Sequence, residues 1–296
     1  MNTHLSVAVI IPAYNSFSTI EHSLDTLSKQ EYPVHQIIVV DSSPNDQVEG
    51  IVTGKFPEVA FFHSKKRLLP HAARNAGAQK TSSDLLVFTD PDIYARPNWI
   101  TNLVEAYRQH GGVIIGSVTN HSNSWLEWGI HFGKFDPFLP GAGIRPLGFC
   151  ATANMLCSRS DFERMGGFEG DEMLGDLLIS WKFVENHIPI IFAPSALVEH
   201  HHTQSYPVFL HERFLRGMDF GRLRHDQFHW TKLRTIWHLL ITISGARLLG
   251  LMVREGKNSL KAKLFFKFLL TFPVSFTGQA FWLFGETSAF VRVLTR

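Results

Sequence analysis

The chain has 296 residues, 45% of them hydrophobic and 18% charged, with a net charge of +2. This composition excludes a disordered chain, because enough apolar side chain is present for a sizeable core. Two cysteines, Cys150 and Cys157, exclude a disulfide-framework fold and fit a reducing compartment.

The N-terminal stretch "MNTHLSVAVIIPAYN" lacks the basic region, long apolar core and small-residue cleavage site of a leader peptide. "VAVIIP" (Val7–Pro12) is an apolar run of strand length. "FSTIEHSLDTLSKQ" (Phe17–Gln30) sets Phe17, Ile20, Leu24 and Leu27 on one helical face, and Ser18 followed by Glu21 reads as a capping box. Next come a strand "QIIVVD" (Gln36–Asp41), a helix, a strand "VAFFH" (Val59–His63), a helix over Pro70–Gln79 and a strand "DLLVF" (Asp84–Phe88). Pro97 suits the first turn of a helix running to about His110, and "GVIIGSV" (Gly112–Val118) is strand-like again. The alternation predicts an α/β fold, a mostly parallel sheet with helices on both faces. Ligands of such sheets sit beyond the carboxyl ends of the strands, where Asp41, Asp90 and Asp92 fall.

Residues 121–146 are rich in Gly, Pro and aromatics and read as irregular loops. Helices return over Ser160–Glu185, followed by a strand "PIIFAP" (Pro189–Pro194). The tail carries two long apolar stretches, "TIWHLLITISGARLLGLMV" and "LFFKFLLTFPVSFTGQAFWLF". The second approaches membrane-spanning length, with Pro273 and Gly278 expected to kink it into a re-entrant or interfacial pair. From His211 to Lys267, 12 Lys/Arg stand against 4 Asp/Glu, while the remainder holds 16 against 22. Basic residues beside apolar helices point to an anionic membrane surface rather than nucleic acid. The expected division is an α/β domain over 1–225 and a basic, apolar helical tail over 226–296, the tail membrane-associated.

Asp90 and Asp92, held by a proline turn at a strand end, offer hard oxygen ligands suited to Mg²⁺ or Mn²⁺. Arg74, in "PHAARNAGA", can pair with phosphate, or with Asp90 or Asp41. Asp41 can accept from a nucleobase N–H or a ribose hydroxyl, or serve as a turn residue.

The motifs "VAVIIPAYN", "IIVVDSS", "AARNAGA", "DLLVFTDPD", "ANMLCSRSDFERMGGFEG" and "LGDLLISWKF" together resemble the family 2 glycosyltransferases in order and spacing, over roughly Val7 to Arg222. The resemblance implies a GT-A fold and an inverting transfer of sugar from a nucleoside-diphosphate sugar to an acceptor hydroxyl. It makes Pro12, Ala13 and Tyr14 the loop at the nucleotide, Asp41 the base-binding aspartate and Arg74 a neighbour of the diphosphate. Asp90 would meet the ribose and Asp92 the metal, Mg²⁺ or Mn²⁺. Asn154 would line the donor and acceptor pocket, Asp176 would be the general base, and His200 or His202 would complete the metal site. The implied acceptor is a glycan or lipid-linked sugar at the cytoplasmic face of a membrane, in polysaccharide or glycolipid synthesis.

Three positions depart from the pattern. Ser42 replaces a second acid after Asp41, Gly175 replaces the glutamate before the base, and Leu178 replaces an acid two residues after it. Asp171 and Glu172 are alternative bases. Two other readings compete with the transferase. One is a membrane-docked nucleotide-sugar-binding protein without turnover. The other is a sugar nucleotidyltransferase, against which stands "PAYNSFST" where a Gly-rich basic loop is needed. No G-x-G-x-x-G follows the first strand, which argues against a dinucleotide dehydrogenase.

Overall fold

The computed structural model describes residues 4–295. The chain divides into two compact units, Met1–His121 with Gly143–His201, and Ser122–Ala142 with His202–Arg296.

The first unit carries a nine-stranded sheet. Its strands are β1 (Val7–Ala13), β2 (Gln36–Asp41), β3 (Ala60–His63), β4 (Leu85–Thr89), β5 (Ile93–Ala95), β6 (Val113–Asn120), β7 (Arg145–Pro146), β8 (Asn154–Ser158) and β9 (Ile190–His200). The order is β3-β2-β1-β4-β8-β6-β9-β5, with β7 also on β9. The β3-β2-β1-β4 half is wholly parallel, as the alternating pattern predicts. The other half is mixed, because β8 runs antiparallel to both β4 and β6, and β5 antiparallel to β9. The helices are α1 (Ile20–Ser28), α2 (Gln47–Lys55), α3 (Pro70–Ala78), α4 (Trp99–His110), α6 (Arg159–Arg164) and α7 (Gly175–Glu185), while α5 (Trp125–Phe135) belongs to the second unit. Strands β1 and β4 are buried along their whole length, as strands covered on both faces must be. Gly77 of α3 lies against β1, where an added Cβ would meet Ile10 Cγ2 at 2.6 Å. That contact is why position 77 carries no side chain.

The second unit holds α5 (Trp125–Phe135), α8 (Tyr206–Gln227), α9 (Lys232–Ile243), α10 (Ala246–Lys261) and α11 (Phe265–Leu294). Ile130, Phe209 and Val274 form one of its core clusters, joining α5, α8 and α11. These compact units divide the chain elsewhere than at the expected residue 225, because α8 and α5 pack on α11. The supposed loops at 121–146 contain the helix α5. Its Gly129 and Gly133 weaken the helical pattern yet admit Val274 and Phe209 closely.

Other local expectations also shift. Helix α1 starts at Ile20 behind Thr19, with no side-chain cap, and Phe17 is exposed, so the capping box is not formed. Pro97 precedes α4, whose N-cap is Asn98. Helix α11 continues through Pro273 and Gly278. Gly278 serves packing, since a Cβ there would meet Phe209 at 2.4 Å. The break falls instead in the first apolar stretch, where Gly245 (φ 79°) joins α9 and α10 at 62°.

Among the described residues, α11 is the one single helix long and apolar enough to cross a membrane, and 44% of its most apolar window is buried within the protein. Three of this unit's acids, buried or half-buried, are paired with arginine or lysine. Arg254 pairs with Asp136, Arg224 and Arg247 with Glu286, and Lys134 with Glu212. Meanwhile Leu233, Trp237, Ile243, Leu249, Phe266 and Leu270 are exposed.

Candidate active site

The site grows from the end of β4. Asp90, Pro91, Asp92 and Ile93 form a tight turn closed by Ile93 N–H donating to the Asp90 carbonyl at 3.2 Å, with proline at its second position. The chain then enters β5, whose Ile93 is opposite His200 at the end of β9. His201 N–H donates to the Asp92 carbonyl at 2.8 Å and locks that pairing. Two remote segments are thereby brought together. Ligand atoms of Asp90, Asp92 and His200 lie within 4.8 Å of one another, with His200 Nε2 3.7 Å from Asp92 Oδ2.

The chemistry of this donor set fits a hard or borderline divalent ion. It offers two half-exposed carboxylates and one buried imidazole, and leaves room for ligands from a substrate. The local charge is felt nearby: burial and the Asp92 carboxylate push the Tyr94 hydroxyl up from its ordinary pKa.

Asp90 is tied differently from Asp92. Its Oδ1 accepts from Arg74 Nη2, and Arg74 is 3% exposed. Arg74 Nη1 lies 3.4 Å from His71 Nδ1, one turn earlier on α3. His71 Nε2 in turn lies 4.0 Å from Asp176 Oδ1 in the first turn of α7. Asp176 Oδ1 also accepts from Leu177 N–H at 2.9 Å. A line of ionisable groups thus runs from the Asp-Pro-Asp turn to Asp176. Asp171 and Glu172 sit on the turn before α7.

Gly175 has a physical explanation here. A Cβ at 175 would sit 2.8 Å from two His71 ring carbons and 2.9 Å from the Glu169 carbonyl oxygen. The imidazole fills the space a larger residue would take. Asn75 beside Arg74 fixes the preceding loop, with its amide bonded to Phe168 N–H and C=O at 2.9 and 2.8 Å.

Asp41 ends β2, opposite Ala13 of β1 and His63 of β3. Its carboxylate accepts from Ser43 N–H (3.1 Å), Ser43 Oγ (2.6 Å) and His63 Nδ1 (2.9 Å), and is 1% exposed. Ser43 Oγ also accepts from Asn15 N–H at 2.8 Å, which anchors the loop after β1. Pro12 and Ala13 are buried in β1, whereas Tyr14 is exposed beneath the Arg67 guanidinium, 4.3 Å from its ring centre.

Two expected site residues are placed otherwise. Asn154 is wholly buried, its Oδ1 accepting from Trp99 Nε1 and its Nδ2 donating to the Ser117 and Ala196 carbonyls. Its amide links β8 to α4, β6 and β9. His202 opens the second unit and lies 3.1 Å from His131, so the metal-type cluster contains His200 alone of the pair. Residues unnoticed in the sequence reading are His71 and His63. The i,i+3 spacing of His71 and Arg74 on α3 was the available signal for the first, and nothing local marked the second.

Comparisons with known proteins bear on the family and the fold. A pre-mycofactocin glycosyltransferase of Mycobacterium tuberculosis is 24% identical over 212 residues, covering 68% of this chain and 43% of that protein. Glycosyltransferase AglE of Haloferax volcanii is 27% identical over 55% of each chain. The chain thus spans about half the length of these two relatives. The O-antigen chain rhamnosyltransferase RfbN of Salmonella typhimurium is 24% identical over 73% of this chain and 72% of its own. Among solved structures, the mannosyltransferase PcManGT of Pyrobaculum calidifontis, in complex with GDP-Man and Mn²⁺, superposes with a TM-score of 0.65 at 17% identity. The match covers 98% of this chain and 88% of PcManGT, and shows the GT-A fold. The family model of glycosyl transferase family 2 matches residues 8–166, more than half of the chain, from β1 through α6 and including Asp90 and Asp92. With that match and this fold, the chain belongs to glycosyl transferase family 2.

Proposed function

We propose that the chain is an inverting, metal-dependent glycosyltransferase that moves a sugar from a nucleoside-diphosphate sugar to an acceptor hydroxyl. The observation that carries this reading is the meeting of Asp90, Asp92 and His200 beside a buried Arg74 that leads through His71 to Asp176. Asp92 and His200 would hold Mn²⁺ or Mg²⁺, an ion that neutralises charge on a leaving diphosphate when bound. Arg74 adds fixed positive charge there, and Asp90 holds it. Asp176 takes the acceptor proton, and a carboxylate base without a covalent intermediate inverts the anomeric carbon. The loop Pro12–Ala13–Tyr14 and the buried Asp41 form the nucleotide end. PcManGT with GDP-Man and a GalNAc-T7 structure with UDP and Mn²⁺ support a donor of this class.

The acceptor is a glycan or lipid-linked sugar at the cytoplasmic face of a membrane. Outward apolar residues on α9–α11, with exposed Lys257, Lys261 and Lys263 around the α10–α11 turn, suit an anionic lipid surface. The decisive experiment is a thermal-shift panel of nucleotide sugars on the full chain, with and without Mn²⁺, followed by assay of nucleoside diphosphate release. Stabilisation by no donor would overturn the proposal. Donor binding without hydrolysis or transfer would favour a non-catalytic binding protein, a reading that the glycine at 175 keeps specific.

A further inference from the structure

We propose that His63, held by Asp41, is the side chain that reads the donor nucleobase, and that it selects bases with a ring N–H: uracil, thymine or guanine. The inference rests on the donor reading above. It replaces direct recognition by Asp41 with recognition through a partner.

Asp41 and His63 are register neighbours at the ends of parallel strands, so their side chains emerge on the same face. The Asp41 carboxylate is 1% exposed and already accepts three hydrogen bonds, two from Ser43 and one from His63. A carboxylate so enclosed has no edge to offer a base. The His63 side chain is 33% exposed. A carboxylate can only accept, so the 2.9 Å contact places the proton on His63 Nδ1. In the neutral ring, Nε2 is then an acceptor, and among the described residues it takes no hydrogen bond. An acceptor there fits the ring N–H of uracil, thymine or guanine. The ring nitrogens of cytosine and adenine on their pairing edges are themselves acceptors. Ser43 completes the frame, since its hydroxyl donates to Asp41 while receiving Asn15 N–H. The loop bearing Tyr14 is thereby joined to the same aspartate. Tyr14, exposed and capped by Arg67, offers an aromatic face on which any base can stack.

The test is calorimetric titration of the full chain with UDP, dTDP, GDP, CDP and ADP in Mn²⁺, with inorganic pyrophosphate as the control for the phosphate half. The key variant is His63→Asn, whose Nδ2 can keep the bond to Asp41 while Nε2 is deleted. Its melting temperature checks that the fold is intact. The expected result is tightest binding to UDP, dTDP or GDP, about 10-fold above CDP and ADP. His63→Asn should lose about 3- to 10-fold on the preferred nucleotide, erase the preference and leave pyrophosphate affinity unchanged. Asp41→Asn should cost a similar factor, and the double variant no more than the larger single loss. Preference intact in His63→Asn but lost in Asp41→Asn would overturn the inference and return the base to Asp41. A wild-type preference for CDP or ADP would overturn it as well. Failure of every nucleotide to bind would instead sink the donor reading itself, and this inference with it.

Discussion

Substituting Gly175→Ala should lower turnover without weakening donor binding. The added methyl group starts 2.8 Å from the His71 ring and 2.9 Å from the Glu169 carbonyl. Ordinary contact begins at 3.4 Å, so the imidazole must retreat by about 0.6 Å or the first turn of α7 must lift by as much. Overpacking of this kind costs about 1–3 kcal/mol, against which a Gly-to-Ala gain in a helix returns about 1 kcal/mol. Net destabilisation should be about 0–2 kcal/mol, small enough for the protein to stay folded. Catalysis is more sensitive. His71 stands between Arg74 and Asp176, and a misplacement near 1 Å can cost about 100-fold, so about 0.6 Å should cost roughly 10-fold. Steady-state release of nucleoside diphosphate gives turnover, and calorimetry gives donor affinity. His71→Ala combined with Gly175→Ala should be no slower than His71→Ala alone, because the clash has gone. Wild-type turnover in Gly175→Ala, with the helix more stable than before, would refute the claim that His71 is clamped there.

The two acids of the Asp-Pro-Asp turn should separate by assay. Asp92→Asn should cost Mn²⁺ binding with little change in melting temperature. Asp90→Ala should destabilise by about 3 kcal/mol, because it strands the buried Arg74 charge, and equal melting temperatures would contradict that division. Asp84 predicts an acid-range effect. The Ser6 hydroxyl and N–H, at 2.7 and 2.8 Å, hold its carboxyl below the ordinary 3.8. A depressed carboxyl stabilises the fold above its unfolded pKa and loses that contribution as pH falls through the folded one. Ser6→Ala should therefore lower stability at pH 7, with the two denaturation curves converging below pH 3.8. For the second unit, Phe266→Ser with Leu270→Ser should abolish flotation with anionic vesicles and leave donor binding intact. Unchanged flotation would exclude that face.

Much of the first unit was legible because its early strands are short, continuous apolar runs, and β2 and β4 lead into acids. β1, β2 and β4 announce themselves, and so does the Asp-Pro-Asp turn between β4 and β5. What lay hidden depends on non-local pairing. Nothing near "PIIFAP" tells that β9 continues to His200, because its second half is held by β6 on one side and β5 on the other rather than marked by an apolar run. Helix α5 was masked by two glycines whose value lies in contact with residues over 70 positions away. Asn154 carried motif support for a pocket role, yet three bonds from distant segments consume its amide. The function of Gly175 was invisible until His71 was seen in the space beside it.

The pairing of Ile93 with His200 also bears on how the protein folds. The family-matched stretch, residues 8–166, contains Asp90 and Asp92 but ends before β9 is made. A chain emerging from the ribosome to that point would present two carboxylates and no imidazole. The third ligand arrives with one of the most sequence-distant closures in the sheet, so an ion bound as proposed gains its full affinity only after β9 has docked. Mn²⁺ would then act on folding by mass action on the finished state alone, slowing unfolding more than it speeds assembly. Metal affinity in truncated or destabilised variants becomes a gauge of whether the last strand is in place.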